Sequence, residues 1–166
     1  MARQVFFSFQ YEPDNWRVST VRNIGAIEGN KACSDNDWET VTGGGDGAIR
    51  RWINDQMHGR STTVVLIGAN TADRKWINYE IAKTWDDYKA LVGIHIHNLK
   101  DRDGEKSRKG RNPFDYVSLD NGKKLSEIVK VYDPPYTDSK AVYNFIADNI
   151  EDWIEQAQTR KRRGAA

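Results

Sequence analysis

A single cysteine, Cys33, stands in 166 residues, so no internal disulfide can staple the fold. With Ala32 and Ser34 beside it and no histidine near in sequence, it reads as a small side chain rather than a nucleophile. No run of about 18 apolar residues is present to span a bilayer, and no secretory leader opens the chain. The sequence therefore predicts a soluble, cytoplasmic protein. An excess of charge of one sign is missing too: 25 Lys and Arg against 24 Asp and Glu leave a formal net charge of +1. That balance excludes a global field for nucleic acid or an anionic membrane, and neither partner is expected. The length fits one domain with its own core, expected over residues 1–158, followed by a basic, disordered tail over 159–166.

What the chain does have is alternation. Val5 to Phe9 is an apolar and aromatic run that suits a buried strand, closed by Pro13. Asp14 is placed to cap a helix carrying Trp16, Val18, Val21, Ile24 and Ile27, which Gly29 and Asn30 end. Residues 31–47 are rich in Gly, Asp and Asn and read as loop, with at most a short strand from Lys31 to Ser34. Ile49, Trp52, Ile53 and Met57 fall at helical spacing, and Thr62 to Ile67 is a continuous, largely β-branched run. Asp73 to Lys89 is helical again through Ile77, Ile81, Trp85 and Tyr88, and Leu91 to Ile96 is a further strand. Strands apolar throughout, alternating with helices, predict a central, mainly parallel sheet covered on both faces. The expected fold class is α/β, a flavodoxin-like three-layer sandwich. Beyond it, Leu99 to Pro113 reads as an exposed charged loop, Phe114 to Leu119 as a last strand and Gly122 to Val131 as a short helix. Val142, Phe145, Ile146, Ile150, Trp153 and Ile154 make the clearest amphipathic stripe.

Several occupations of such a sandwich are excluded by missing residues. Neither a G-x-x-x-x-G-K-[ST] phosphate loop nor a G-x-G-x-x-G dinucleotide fingerprint occurs; in the glycine cluster at 43–47, Arg50 stands where the last fingerprint glycine would fall. The central strand ends in Gly68-Ala69-Asn70, without the aspartate that a phosphoryl receiver needs. His58, His95 and His97 do not have zinc-ligand spacing, and no metal is expected; His95 and His97 read as packed or edge histidines. A nucleophile elbow, G-x-S-x-G, is absent.

Ligand sites of open α/β sheets lie at the C-terminal ends of the strands, beside the switch in strand order. Phe7-Ser8-Phe9, the polar loop from Ser34 to Gly47, and Ala69 to Glu80 should converge there. Trp76 and Glu80, four residues apart, share one side of a helix beside the apolar stripe of Ile77 and Ile81, which sets Glu80 at the rim of the core.

Phe6-Phe7-Ser8-Phe9 resembles the F-x-S-[YF] signature of the first strand of Toll/interleukin-1 receptor (TIR) domains, and Trp76 to Ile81 resembles the later W-x-x-x-E-[IL] segment. Residues 3 to about 156 are similar to the bacterial TIR-like branch typified by the Thoeris anti-phage defence protein. The resemblance implies an enzyme of NAD glycohydrolase or ADP-ribosyl cyclase type, with NAD as substrate and no cofactor. It implies Glu80 as the catalytic carboxylate and Phe7 and Ser8 as pocket lining. Trp76, Asn70 and Asp37 are candidate substrate contacts, the last in the loop that would close over NAD. Arg17 and Arg74 are weighed for phosphates or ribose. The implied partners are a second copy of the chain when active and a separate effector reached through a nucleotide product. A non-catalytic TIR-like adaptor, a nucleoside deoxyribosyltransferase-like enzyme, and a polyanion-binding module using Arg108, Lys109, Arg111 and the tail are the competing readings.

Overall fold

The computed structural model describes residues 3–25, 27–29 and 40–160. Five strands, β1 (Arg3–Ser8), β2 (Ile27–Gly29), β3 (Thr62–Ile67), β4 (Ala90–His95) and β5 (Val131–Tyr132), form one sheet in the order β2-β1-β3-β4-β5. Every pairing is parallel, with Ser8 beside Val65 and Ile67 beside His95. Four helices are described in full, α1 (Tyr11–Arg22), α2 (Gly45–Met57), α3 (Lys75–Asp86) and α4 (Ser139–Arg160), and residues 40–43 are also helical. The α/β sandwich expected from the alternation is the one observed, in the flavodoxin order.

Strand alternation divides the core. Val5, Phe7, Val64, Leu66, Val92 and Ile94 face α1 and α4, where Val18, Val21, Val142, Ile146, Ile150 and Trp153 meet them. Phe6 points the other way onto Ile49, Ile53 and Met57 of α2, and Val65 and Ile67 onto Ile77 and Ile81 of α3. Each fully buried aliphatic side chain contributes about 1.5–3 kcal/mol, so β3, buried along its whole length, is the axis of the domain.

Several local expectations are corrected. Helix α1 starts at Tyr11 with an extended Glu12, and Asp14 does not cap it; Asp14 is fully buried and paired with Arg17 at 2.9 Å. Trp16 is half exposed rather than part of the buried face, because Val18, Val21 and Ile24 already fill the sheet side. The chain does not remain helical to Ile27: the helix ends at Arg22, and Ile27–Gly29 is the edge strand β2. The loop expected over 31–47 is helical at 40–43, and Gly45 and Gly47 belong to the first turn of α2, which bears little of the helix's packing. Phe114 belongs to a 3-10 turn, Pro113–Tyr116, nucleated by Asn112, whose side chain accepts the Phe114 N–H. The short helix expected over 122–131 is a 3-10 turn, Leu125–Glu127, followed by the true last strand β5. Thr159 and Arg160, expected in the disordered tail over 159–166, are the last residues of α4. The short strand expected from Lys31 to Ser34, Cys33 and the tail residues 161–166 lie outside the described residues. No helix of the described residues is long and apolar enough to cross a membrane.

Candidate active site

The strand order reverses between β1 and β3, and the ends of these two strands form the crevice that the topology reserves for a ligand. Ser8 closes β1 on the face opposite Phe7, and so points toward α3. The chain leaves β3 through Gly68, whose N–H is accepted by Thr71 Oγ1 at 2.8 Å, and turns into α3 through Asp73 in a left-handed conformation (φ 59°) that Asp tolerates better than most residues. That turn sets α3 so that Ile77 and Ile81 pack on the sheet and Glu80 faces Ser8.

Glu80 is 7% exposed, and its carboxyl group accepts a hydrogen bond from Ser8 Oγ at 2.5 Å. This corrects the expected rim position: the side chain is inside. Its backbone is fixed as well, since Thr84 Oγ1 donates to Glu80 O at 2.7 Å. With that proton committed, Thr63 of β3 supplies the proton of the 2.7 Å contact between the two threonine hydroxyls. Burial raises the Glu80 pKa to about 8, and the Ser8 hydroxyl, which favours the carboxylate, offsets only part of that.

Glu80 forms part of the wall of a cavity of about 360 Å³. Aromatic side chains dominate this wall: Phe6, Phe7 and Phe9 from the end of β1, Tyr11 from α1, Trp52 from α2 and Trp76 from α3. Arg22, Arg74 and Lys75 contribute positive charge, and Glu12 a second carboxylate. Trp76 meets Tyr79 edge to face at 5.6 Å. Lys75 Nζ lies 4.9 Å from the centre of the Trp76 ring while also pairing with Asp46 of α2 at 2.5 Å, and the Arg50 guanidinium sits 6.0 Å from the same ring. Tyr79 donates to Asn54 Oδ1 at 2.8 Å, so α2 and α3 are tied to each other along the cavity.

The structure thus brings together Glu80, Ser8, Phe7 and Trp76. Asn70 is placed elsewhere: it is exposed, its Oδ1 accepts from Arg108 and its carbonyl from Arg74 Nε, and it does not line the cavity. Asp37 lies outside the described residues. Arg17 is not available to a ligand. It is 2% exposed and donates to Asp14, to Leu99 O and to Glu105 O, pinning the loop that follows β4 onto α1. Tyr11, Arg22 and Trp52 were not singled out from sequence as site residues, and Phe9 was expected there only as part of the converging Phe7-Ser8-Phe9 segment. Nothing in spacing marks Trp52 or Arg22, which reach the cavity from elements distant in sequence. Phe9 and Tyr11 could have been found from their adjacency to the first-strand motif.

His95 and His97 are both buried, 5.7 Å apart edge to face, away from the cavity. Burial lowers the His95 pKa to about 4 and shifts His97 downward as well, so both are neutral near pH 7.

Comparison with known proteins adds two findings. A sequence profile described as the TIR-like domain of Thoeris protein ThsB matches residues 6–101, a span that runs from Phe6 through α3 and β4 into the loop beyond and contains every described residue of the cavity wall. A protein of Bacillus cereus (strain MSX-D12), ThsB1, named for cyclic ADP-D-ribose synthesis, is 38% identical over 133 residues, covering 75% of this chain and 69% of that protein.

Proposed function

The chain belongs to the TIR-like family of Thoeris ThsB proteins, and from that premise we propose that it cleaves NAD at the nicotinamide ribosyl bond, with Glu80 as the catalytic carboxylate. The observation that carries this reading is a buried, hydrogen-bonded carboxyl group in the wall of an aromatic cavity at the sheet's switch point.

The chemistry suits that environment. When the bond between the ribose C1′ and the nicotinamide nitrogen breaks, its electron pair leaves with the ring, which becomes neutral, and positive charge moves onto the ribose. A carboxylate held beside that carbon is worth more in the transition state than in the ground state, and more in a dry site than in water. Burial raises the Glu80 pKa to about 8, which disfavours the carboxylate below that pH. A cationic substrate changes this, because a positive charge within a few ångströms favours the carboxylate form. Nicotinamide needs no protonation to leave, so a single carboxylate suffices. Aromatic walls such as Phe7 and Trp76 orient flat rings, and Ser8 keeps the carboxyl group in place.

The ribosyl cation is trapped by whichever nucleophile the closed site admits. Capture by the adenine of the same molecule gives a cyclic ADP-ribose isomer, in keeping with the name of the Bacillus relative; water gives ADP-ribose. A cyclic product serves as a message to a separate effector in anti-phage defence, and self-association completes the active site.

The test is product analysis by mass spectrometry of NAD incubated with concentrated wild-type protein and with Glu80→Gln, with and without lysate from phage-infected cells. Release of nicotinamide by the wild type alone supports the reading and identifies the product. Absence of release from both folded proteins under every condition replaces it with an interaction module.

A further inference from the structure

Two carboxylates belong to the cavity wall, and they are held in opposite ways. Glu80 is buried and accepts the Ser8 hydroxyl. Glu12 is exposed, and its carboxylate enters no hydrogen bond or ion pair among the described residues; none of the cations of the wall, Arg22, Arg74 and Lys75, is paired with it. Its placement follows from its neighbour. A residue ahead of proline is pushed out of the helical region, and Glu12, ahead of Pro13, is extended (φ −95°, ψ 123°) within the first turn of α1. The side chain carried at this break in the helix caps nothing there and forms part of the wall.

Glu12 stands four residues beyond Ser8, the partner of Glu80, and four residues of chain reach at most about 14 Å. A dinucleotide separates its two riboses by a diphosphate, a length on that scale. With one ribose at Glu80 in the dry part of the cavity, the other falls to the exposed side, where Glu12 is.

We propose that Glu12 accepts the 2′- and 3′-hydroxyls of the adenosine ribose and so selects NAD over its 2′-phosphorylated form. The proposal rests on the NAD-cleaving reading of the same cavity. Two vicinal hydroxyls match the two oxygens of one carboxylate, and an ionised acceptor makes the stronger hydrogen bonds. A 2′-phosphate removes one of those donors and sets like charge against the carboxylate, so both effects disfavour it. Glu12 acts by binding and takes no part in the breaking of the bond.

The experiment compares wild type, Glu12→Gln and Glu12→Lys. Nicotinamide release is followed from NAD, from NADP and from nicotinamide hypoxanthine dinucleotide, which lacks the adenine amine. Calorimetric titration compares ADP-ribose with its 2′-phosphate. Glu12 is exposed, and thermal melting checks that each variant is folded. The wild type is expected to favour NAD over NADP about tenfold or more in kcat/KM, chiefly through KM. Glu12→Gln, which keeps the shape but not the charge, narrows that ratio by about threefold or more, and Glu12→Lys reverses it. Discrimination against the hypoxanthine dinucleotide is the same in all three. A wild type that does not distinguish NADP from NAD, a ratio that neither substitution alters, or a change in hypoxanthine discrimination in its place overturns the proposal. If no protein releases nicotinamide, the titration decides. Preference for ADP-ribose over its 2′-phosphate in the wild type, lost in Glu12→Gln, keeps the ribose contact while the NAD-cleaving reading falls; equal or absent binding removes both.

Discussion

Ser8 Oγ donates to Glu80 Oε1 across 2.5 Å, and both side chains are buried between the end of β1 and helix α3. Two opposed influences meet in that contact: burial raises the Glu80 pKa to about 8, and the serine hydroxyl lowers it. A carboxylate mechanism then requires kcat/KM for NAD, which reports the free enzyme, to climb about tenfold per pH unit below pH 8 and to level off above it. Ser8→Ala removes the lowering influence, so its inflection moves to higher pH. Initial rates across pH 6–10 decide the matter. A profile flat through that range, or an inflection displaced downward by Ser8→Ala, is incompatible with Glu80 acting as the ionised group.

The same shift has a consequence for stability. A folded-state pKa raised from 4.5 to about 8 means that the folded protein holds this proton more tightly than the unfolded chain. The contribution is fully present below pH 4.5 and is lost as the pH rises to about 8, with a ceiling of about 5 kcal/mol at roughly 1.4 kcal/mol per unit. Glu80→Gln cannot ionise. Relative to wild type it should gain stability progressively between pH 5 and pH 8.5, seen as a widening difference in urea midpoint, although its catalysis is lost. Parallel stability curves for the two proteins would show that Glu80 is not buried as a protonated group.

The fold was legible because its strands are unbroken apolar runs and its helices carry clean stripes; Thr62 to Ile67 and Val142 to Ile154 are unambiguous. The candidate site at Glu80 was suggested by its two motifs, although spacing on a helix could place the residue only near the core. Its burial follows from Ser8 reaching it across the layer, a contact between residues 72 apart in sequence. What escaped has a common cause. The two-residue strand β5 and the three-residue strand β2 are too short for periodicity to register, and Asp14 looked like a cap because its partner Arg17 is buried only by packing against the loop after β4. Glycines at 45 and 47 argued for loop by composition, yet Ile49, Ile53 and Met57 decided for a helix around them.

Arg17 and Asp14 offer a test of that buried pair. Both are almost wholly buried, Asp14 Oδ2 finds no hydrogen-bond donor among the described residues, and burial raises the Asp14 pKa despite the arginine beside it. Removing one partner strands the other, so Arg17→Met should cost about 3–5 kcal/mol in urea unfolding. The double variant Asp14→Asn, Arg17→Met should recover a substantial part, since it leaves no lone charge inside. Hydrogen exchange should accelerate in both around Leu99 to Glu105, whose carbonyls Arg17 holds. Unchanged exchange there would mean that the loop after β4 is fixed by other contacts.

Gly29, the last residue of β2, tests how the edge strand shapes the cavity. A Cβ at this position would fall 2.3 Å and 2.5 Å from two ring carbons of Phe7, so the ring must move or the strand must part. Phe7 is both core and cavity wall, and Arg22 rests against it. Gly29→Ala should therefore lose about 1–3 kcal/mol of stability, the usual range for overpacking. It should also raise the KM for NAD several-fold with little change in kcat, because Glu80 and Ser8 lie on the other face of β1. Gly25→Ala is the matched control, with nothing within 4 Å of the added methyl and an expected effect within about 0.5 kcal/mol. A Gly29→Ala protein that loses stability but keeps its KM would assign Phe7 to the core alone and leave substrate contact to the α2 and α3 side of the cavity.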